Sequence, residues 1–248
     1  MMTKIKLIIS VIFFINCSNA VNAQNFDKEM KTQIDLAIRN LDWAGLNTYH
    51  EANQKLSLKD SISPDVIFMG DSITQGWSDN SPLFFSNNNY LNRGIGGQTT
   101  SQMLLRFRRD VIKLKPKVVI ILAGINDIAE NTKYYDINTI AENTFSMVEL
   151  AIANSIIPII CSTLPADRFE WRPEILPLES VKKLNALFYD YAEKENITFL
   201  DYFSFMKNKN GGMKDELTTD GVHVTKEGYD LMSKLAKKTI NETLMKLQ

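Results

Sequence analysis

Short apolar runs alternate with helical patterns along most of the chain, and this alternation restricts the possible folds more than any other feature. Runs typical of buried strands lie at Val66 to Met69, Tyr90 to Asn92, Val118 to Ala123, Ile156 to Cys161 and Thr198 to Asp201. Between them, apolar residues such as Met103 and Phe107 recur at helical spacing until Pro116 ends that element. The sequence therefore predicts an α/β fold with three layers, in which five parallel strands carry helices on both faces.

The composition fits one sheet domain with a sizeable core. The chain has 248 residues, of which 44% are hydrophobic, and it shows no repeat, low-complexity tract or break in composition. We assign residues 61–248 to this domain and residues 24–60 to a helical extension packed on it, with Trp43 and Tyr49 as anchors. A formal net charge of -1 provides no electrostatic footprint for nucleic acid, so a nucleic-acid partner is not expected.

Residues 1–23 are predicted to be a signal peptide. Lys4 and Lys6 precede an apolar run from Leu7 to Ile15, and small and polar residues follow up to Ala23. This run is shorter than the roughly 20 residues that span a bilayer, so a stable membrane span is not expected, although an anchoring helix is an alternative. We expect cleavage after Ala23 and export to the periplasm or the cell exterior.

The two cysteines have different expected roles. Cys17 allows a second localisation, a lipoprotein anchored through this residue, although Asn16 is larger than the residue that usually precedes a lipid-modified cysteine. Cys161 ends a predicted buried strand and is expected to be inert core. After cleavage at Ala23 no internal disulfide can form, and a lone cysteine without a histidine cluster is no zinc ligand set. No metal or other cofactor is therefore expected.

Ser72 is the candidate nucleophile because it directly follows the first predicted strand. Ligands of open α/β sheets bind at the carboxyl ends of the strands, which is where this serine is expected to lie. The alternative is that the serine only caps a helix, as serine often does. The Gly-x-Ser-x-Gly motif of the α/β-hydrolases does not surround it. Asp71 is expected to bond local N–H groups.

His223 is the better of the two histidines as a general base. A serine hydroxyl needs a base to take its proton, and histidine suits this because its unperturbed pKa is about 6.5. His50 lies in a helical pattern without any motif, whereas Asp220 stands three residues before His223 and can orient its imidazole. Asp-Gly pairs also form ordinary turns, which is the alternative for Asp220. Ser72, Asp220 and His223 are the predicted catalytic residues.

Four motifs together resemble the four blocks of the SGNH (GDSL-like) hydrolase family. They are Gly70-Asp71-Ser72-Ile73-Thr74, Asn92-Arg93-Gly94-Ile95-Gly96-Gly97, Gly124-Ile125-Asn126-Asp127 and Asp220-Gly221-Val222-His223. The first block has Ile73 where the name-giving form has leucine, an apolar exchange that leaves Ser72 unaffected. The resemblance implies a flavodoxin-like sheet with strand order 2-1-3-4-5.

The resemblance also implies an oxyanion hole and an activity. Its donors would be the backbone N–H groups of Ser72 and Gly97 and the side-chain amide of Asn126. The alternatives are that Gly97 belongs to a plain flexible turn and that Asn126 is a loop residue bonded to nearby backbone. Asp127 is expected to be structural. The implied activity is that of a serine esterase, which hydrolyses carboxylic esters through an acyl-enzyme intermediate.

The substrate is less well determined by the sequence. The loop after the fourth strand contains Phe169 and Trp171, which could wall an acyl pocket or stack on a sugar. Arg168 and Arg172 in the same loop could meet an anionic group, unless this is an ordinary surface loop. Two further candidates for contact with the substrate flank the oxyanion block, Ile125 and Ile128.

Three functions remain open. The first is a deacetylase of carbohydrate or other small O-acyl esters, and the second is a lysophospholipase or thioesterase-like acylhydrolase that takes longer chains. The third belongs to another class, a secreted binding domain without turnover, because a fold alone does not establish activity. The expected partner is a small-molecule, glycan or lipid ester, and the sequence does not indicate an oligomeric state.

Overall fold

The computed structural model describes residues 30–36, 41–58, 63–132 and 136–245. Two compact units are distinguished, Met1–Asp42 and Trp43–Gln248. In the first unit, residues 30–36 are helical. The expected signal peptide over residues 1–23, including Cys17, lies outside the described residues. None of the helices described is long and apolar enough to cross a bilayer.

The second unit is built on a five-stranded parallel sheet. Its strands are β1 (Val66–Gly70), β2 (Tyr90–Gly94), β3 (Val118–Leu122), β4 (Ile157–Cys161) and β5 (Thr198–Leu200). They lie in the order β2-β1-β3-β4-β5, which confirms the implied order 2-1-3-4-5. The register pairs Gly70 with Gly94 on one side and with Leu122 on the other, so three strands end together at one edge.

The strand sequences explain why this sheet forms. Every residue of β1 and β3 is buried, as expected for parallel strands covered on both faces. The observed strands lie where the apolar runs predict them, with small shifts at the ends. β5 stops at Leu200 because the next residue, Asp201, accepts a hydrogen bond from the backbone N–H of Ser204 (3.0 Å) and caps a helix.

Helices cover both faces of the sheet. They are α1 (His50–Leu58), α2 (Ser72–Asn80), α3 (Pro82–Ser86), α4 (Thr100–Asp110), α5 (Ile125–Ile128), α6 (Ile137–Ile152), α7 (Leu178–Lys194), α8 (Tyr202–Met206) and α9 (Lys226–Met245), with 3-10 turns at Ile112–Leu114 and Asp215–Leu217. On one face, α6 packs against both α4 and α7. On the other face, α2 contacts α3 and α9, and α9 also contacts α8. This is the predicted three-layer arrangement.

An aromatic cluster holds α2 and α3 on the sheet. The ring of Phe68 from β1 lies 5.2 Å from Trp77 of α2 and 5.3 Å from Phe85 of α3, both in edge-to-face geometry. Trp77 also stacks on Phe84 at 5.3 Å, and its indole N–H donates to the Ser233 hydroxyl of α9 (2.9 Å). These contacts fix α2 in position on the sheet.

The segment from Trp43 to Leu58 belongs to the same compact unit as the sheet. The Tyr49 hydroxyl donates to the backbone oxygen of Gly94, and the Arg93 guanidinium lies 4.5 Å from the Tyr49 ring. The Trp43 side chain is half exposed. Its hydrogen bond to α4 comes from the backbone, because the Trp43 carbonyl oxygen accepts from the Gln102 side chain (2.7 Å). Tyr49 therefore anchors this segment with its side chain.

Arg106 of α4 is fully buried and makes polar contacts on three sides. Its guanidinium donates to Asp110 (3.1 Å), to the backbone oxygen of Gly70 at the end of β1 (3.0 Å), and to the Gln98 side chain. Burial lowers the pKa of Arg106, and the Asp110 carboxylate opposes this shift. The pair thus ties α4 to the edge of the sheet where β1 ends.

We predict that Arg106→Ala lowers the free energy of unfolding by about 3 to 5 kcal/mol, because Asp110 would keep a buried charge without its partner. Urea denaturation measures the loss. Arg108→Ala is the matched control, since Arg108 is exposed on the same helix. Equal stability losses in the two variants would contradict a structural role for the buried pair.

Candidate active site

Ser72 is the first residue of α2, and its position follows from the cap before it. β1 ends at Gly70, and the Asp71 side chain accepts a hydrogen bond from the backbone N–H of Ile73 (2.9 Å). The Asp71 carbonyl accepts from the N–H of Gln75 (2.9 Å), which closes the first helical turn. Ser72 thus stands at the carboxyl edge of the sheet, half buried, where it was expected.

Two glycines allow α2 to begin this close to the sheet. A Cβ atom on Gly94 would lie 2.1 Å from the backbone nitrogen of Gln75, and one on Gly70 would lie 2.0 Å from the Thr74 hydroxyl oxygen. Both distances are far below van der Waals contact, so residues with side chains would push the helix away. Because Gly70 and Gly94 have no Cβ atom, Ser72 can lie close to the ends of the strands.

Ser72, His223 and Asp220 form a hydrogen-bonded series. The Ser72 Oγ lies 3.1 Å from His223 Nε2, and His223 Nδ1 lies 2.6 Å from Asp220 Oδ2. With the carboxylate as acceptor, Nδ1 carries the proton and Nε2 is free to accept from the serine hydroxyl. The other histidine, His50, instead contacts Arg109 (2.7 Å). The structure therefore brings the three predicted catalytic residues together.

The loop that carries Asp220 keeps this carboxyl ionised. Its Oδ1 accepts from the backbone N–H groups of Val222 (2.9 Å) and His223 (2.7 Å). Partial burial raises the pKa of Asp220, but the hydrogen bonds from the His223 imidazole and from these two N–H groups outweigh burial and lower it. An ionised carboxylate at this distance can stabilise a protonated His223 imidazole.

Two other carboxyls near the site are buried and serve the framework. Burial raises the pKa of Asp71 to about 7, although the N–H of Ile73 and the nearby His223 oppose the shift. Burial raises the pKa of Asp127 to about 6, against hydrogen bonds from the Thr100 hydroxyl (2.6 Å) and backbone N–H (2.9 Å). Asp71 caps α2 and Asp127 ties α5 to α4, so both have structural contacts.

Gly97 forms part of a hydrogen-bonded turn beside Ser72. The turn is closed by a bond from the N–H of Gln98 to the oxygen of Ile95 (3.3 Å), and Gly97 has a φ of 75°, which glycine adopts without strain. A Cβ atom on Gly96 would lie 3.8 Å from that of Ser72, so the turn adjoins the serine. Within the described residues, no group accepts from the Gly97 N–H.

Asn126 is held in α5 with its amide pointing to the same turn. Its Nδ2 donates to the backbone oxygen of Gln98 (3.1 Å), and its side chain is almost fully buried. An amide nitrogen carries two hydrogens, and in the described part of the chain Nδ2 makes this one bond. The second hydrogen therefore remains for a ligand oxygen, as does the Gly97 N–H.

The aromatic loop after β4 divides into one exposed and one buried ring. Trp171 is 42% exposed, and its ring lies 5.9 Å from the His223 ring. Phe169 is 1% exposed and supports Trp171 from behind at 5.1 Å. Ile125 and Ile128 are also buried, as members of the hydrophobic core. Of the four residues expected to meet substrate, Trp171 alone is exposed beside the histidine, because the other three pack inward.

The two arginines of this loop lie on different sides of it. Arg168 pairs with Asp167 (3.2 Å), and its guanidinium carbon lies 3.3 Å from where a Cβ on Gly221 would be. It therefore borders the segment between Asp220 and His223. Arg172 donates to the backbone oxygen of Glu130 (3.3 Å), which connects the aromatic loop to the chain after α5.

Neither thiol nor metal-binding groups gather in the described part of the chain. Cys161 is buried in β4, where burial raises the pKa of its thiol well above the ordinary value. Groups of three or more His, Cys, Asp or Glu side chains that could hold a metal ion do not occur among the described residues. Cys161 is thus a core residue, as expected.

Sequence reasoning missed two polar residues beside the glycine turn. The Gln75 side-chain oxygen accepts from the N–H of Gly96 (2.7 Å). The Asn131 side-chain nitrogen donates to Asn126 Oδ1 (2.8 Å) and to the backbone oxygen of Gly97 (3.3 Å). Gln75 stands three positions after Ser72 on α2, a spacing that places both on one helix face and could have indicated it. No sequence signal indicates Asn131.

A family model and two solved structures indicate the same family. The model of the GDSL-like Lipase/Acylhydrolase family matches residues 68–231. A GDSL-like lipase from Bacteroides thetaiotaomicron VPI-5482 has 43% identity and a TM-score of 0.78, and the match covers 82% of this chain and 100% of that one. An inferred acylhydrolase from Bacteroides fragilis NCTC 9343 has 47% identity and a TM-score of 0.79, with coverage of 83% and 100%.

A curated relative is similar over much of its length. Platelet-activating factor acetylhydrolase IB subunit alpha2 of Homo sapiens is 29% identical over 203 residues, which are 77% of this chain and 80% of that protein. Its orthologues in Rattus norvegicus and Mus musculus match to the same extent.

We predict that Ser72→Ala lowers ester hydrolysis by at least roughly 10⁴-fold, because no other group at this position can form the acyl-enzyme. Melting temperature should stay nearly unchanged, since the hydroxyl fills little core volume. A fluorophosphonate should label the wild-type enzyme once, at Ser72, and peptide mapping locates the label. Ser78→Ala on the same helix is the control, and a label on another serine would refute the assignment.

We predict that Asp71→Asn changes the pH dependence of stability. The folded state holds this proton up to about pH 7, whereas the unfolded chain loses it near its ordinary value of 3.8, so wild-type stability falls as the pH rises through this window. Asparagine still caps α2 but does not titrate. The stability of the variant relative to wild type should increase by about 3 kcal/mol between pH 4 and 7.

Urea denaturation at several pH values measures this difference. Asp79→Asn, at an exposed position on the same helix, is the matched control. Wild type and Asp71→Asn with parallel stability profiles would show that the Asp71 carboxyl does not hold its proton through this window.

Proposed function

The chain belongs to the GDSL-like lipase/acylhydrolase family and is a carboxylic ester hydrolase, and we propose that it is a deacetylase of carbohydrate or other small O-acyl esters. The observation that carries this proposal is the exposed Trp171 ring beside His223, the base of the Ser72 series. It supplies an apolar platform at the point where the alcohol of the ester would leave.

The proposed reaction begins with attack by Ser72. As its Oγ bonds to the ester carbonyl carbon, His223 Nε2 takes the hydroxyl proton, and the carbonyl π electrons move to the oxygen. The backbone N–H groups of Ser72 and Gly97 and the free N–H of Asn126 are the proposed donors to this oxyanion. Asp220 keeps the imidazole oriented and stabilises its positive charge.

The intermediate then loses its alcohol. The oxyanion electrons reform the carbonyl, the bond from carbon to the alcohol oxygen breaks, and His223 gives its proton to that oxygen. A water molecule repeats the sequence on the acyl-enzyme, with His223 as base. The acid departs, and Ser72 regains its proton.

Trp171 is placed to contact the alcohol part of the ester, because His223 must deliver its proton to the alcohol oxygen. The leaving oxygen has to come within hydrogen-bond distance of Nε2, so the rest of the alcohol lies beside the imidazole. The exposed Trp171 ring borders that imidazole, and a large flat ring with an N–H group suits the mixed apolar and polar face of a sugar. The buried Phe169 ring packs against the Trp171 ring and supports it.

The acyl group is proposed to be short. The curated relatives with 29% identity bear the name acetylhydrolase, which denotes removal of an acetyl group. Their similarity spans most of this chain and supports an acetyl ester as the substrate here.

A lysophospholipase or thioesterase-like acylhydrolase is the second candidate. Leu176 follows Trp171 in the same loop and is 77% exposed, so the loop presents two apolar groups to solvent. An apolar rim of this kind also suits a longer acyl chain or a lipid. The third candidate, a binding domain without turnover, predicts no hydrolysis of any ester.

Export remains part of the proposal. Lys4, Lys6 and the following apolar run favour secretion to the periplasm or exterior with cleavage after Ala23. Anchoring through a lipid on Cys17 is the alternative. The intact mass of the protein isolated from its native cells distinguishes a chain that begins at Gln24 from one that begins at a lipidated Cys17.

We predict that kcat/KM falls steeply from p-nitrophenyl acetate to butyrate and octanoate, because the proposed acyl site is short. A rise along this series would favour the lipid acylhydrolase, and no turnover of any of them would favour the binding domain.

We predict that Trp171→Ala raises KM for acetylated sugars roughly 10-fold, because Trp171 faces the alcohol. On the p-nitrophenyl series, the same variant should leave the ratio of acetate to octanoate turnover unchanged. Trp43→Ala, at another half-exposed tryptophan, is the matched control. A changed chain-length ratio in Trp171→Ala would place this ring on the acyl side instead.

A further inference from the structure

The turn that contains Gly97 is pinned on both sides by side chains from other elements. Gln75 of α2 accepts from the N–H of Gly96 (2.7 Å), which belongs to the peptide unit just before the Gly96-Gly97 unit. Asn131 donates to the oxygen of Gly97 (3.3 Å), which belongs to the unit just after it. The unit between them carries the Gly97 N–H.

Peptide units are planar, so the orientation of the middle unit depends on the backbone angles of Gly96 and Gly97 alone. Glycine allows a wider range of these angles than any other residue, and two in succession form the most adaptable connection a chain can have. Fixing the units on both sides removes most of this freedom. The Gly97 N–H therefore has a defined direction despite the flexible sequence.

Asn131 contacts two of the proposed oxyanion donors at once. Its Nδ2 donates to Asn126 Oδ1 (2.8 Å) as well as to Gly97 (3.3 Å). Because the Asn126 oxygen accepts this bond, its nitrogen is turned the other way, where one hydrogen reaches Gln98 and the second remains available. The amide of Asn126 is thus held against a flip.

The backbone after α5 explains why Asn131 reaches back. Glu130 has a φ of 54°, a left-handed conformation that ends the helix and reverses the chain. The N–H of Asn131 then donates to the backbone oxygen of Asn126 (3.0 Å), and Arg172 donates to the oxygen of Glu130 (3.3 Å). Asn131 is therefore joined to Asn126 by both its backbone and its side chain.

We infer that Asn131 and Gln75 are positioning residues, which hold the Gly97 and Asn126 donors in the direction that the oxyanion requires. The inference rests on the proposed ester hydrolysis at Ser72. Oxyanion donors stabilise the transition state most when they are oriented beforehand, because turning them during the reaction would cost part of what they supply. Asn131 and Gln75 provide this orientation from the two neighbouring segments.

The test compares Asn131→Ala and Asn131→Leu with wild type on p-nitrophenyl acetate. Leucine has a similar volume but donates no hydrogen bond, so both variants should lose kcat roughly 10- to 100-fold with KM within about twofold, less than the roughly 10² to 10³ lost with a direct donor. The rate of fluorophosphonate labelling should fall in parallel. Asn154→Ala, at an exposed asparagine that donates to the backbone oxygen of Leu150, is the matched control.

A double-mutant cycle with Asn126→Ala separates positioning from general loss of structure. If Asn131 acts through Asn126, the double variant should lose clearly less kcat than the product of the two single losses. Losses that multiply, wild-type kcat in both Asn131 variants, or rescue of kcat by leucine would each overturn the inference.

Gln75→Ala tests the same turn from its other side. This variant should lower kcat at nearly constant KM. If the Asn131 variants do not fold, it is the variant that tests whether the turn must be held in place. Wild-type kcat in Gln75→Ala would overturn the role of Gln75 in any case, and the whole inference if the Asn131 variants do not fold. Wild-type enzyme that neither hydrolyses esters nor takes the label at Ser72 would instead refute the proposed function, and the inference with it.

Discussion

The first turn of α2 lies directly against the ends of β1 and β2, with backbone meeting backbone. A Cβ on Gly94 would come within 2.1 Å of the Gln75 nitrogen, so this contact exists only while a glycine faces the helix. The sheet register places Gly94 there by pairing it with Gly70. A one-residue slip of β2 would bring a side chain into the gap and displace Ser72. The position of Ser72 is therefore a consequence of strand pairing.

The local environment separates the roles of three carboxyls at one edge of the sheet. Asp220 accepts hydrogen bonds from an imidazole and two backbone N–H groups, and its pKa is lowered despite partial burial. Asp71 and Asp127 also accept N–H bonds, yet deeper burial dominates and raises their pKa values. One residue type thus provides an ionised partner for His223 and two framework groups that do not compete with it for the imidazole.

Much of the fold could be predicted because burial on both faces makes each strand an apolar run, and the strand order 2-1-3-4-5 followed from the four motifs. Ser72 and His223 could be located because their motifs lie at strand ends or in a loop at the same edge. The sequence did not separate Phe169 from Trp171, since which ring of a loop packs inward depends on the surface beneath it. Asn131 was not foreseeable because its contacts join segments that only the folded chain brings together.

The series of hydrogen bonds from Ser72 to His223 joins residues 151 positions apart, and this separation has a consequence for biosynthesis. α9 follows His223 in the chain and docks on α2, where the Tyr229 hydroxyl donates to the backbone oxygen of Ile73 (2.8 Å). A ribosome makes Ser72 long before His223, so a growing chain carries the serine without the histidine. The hydrogen bond between them can form only when nearly the whole domain has been synthesised and folded, so we expect ester hydrolysis to begin only then.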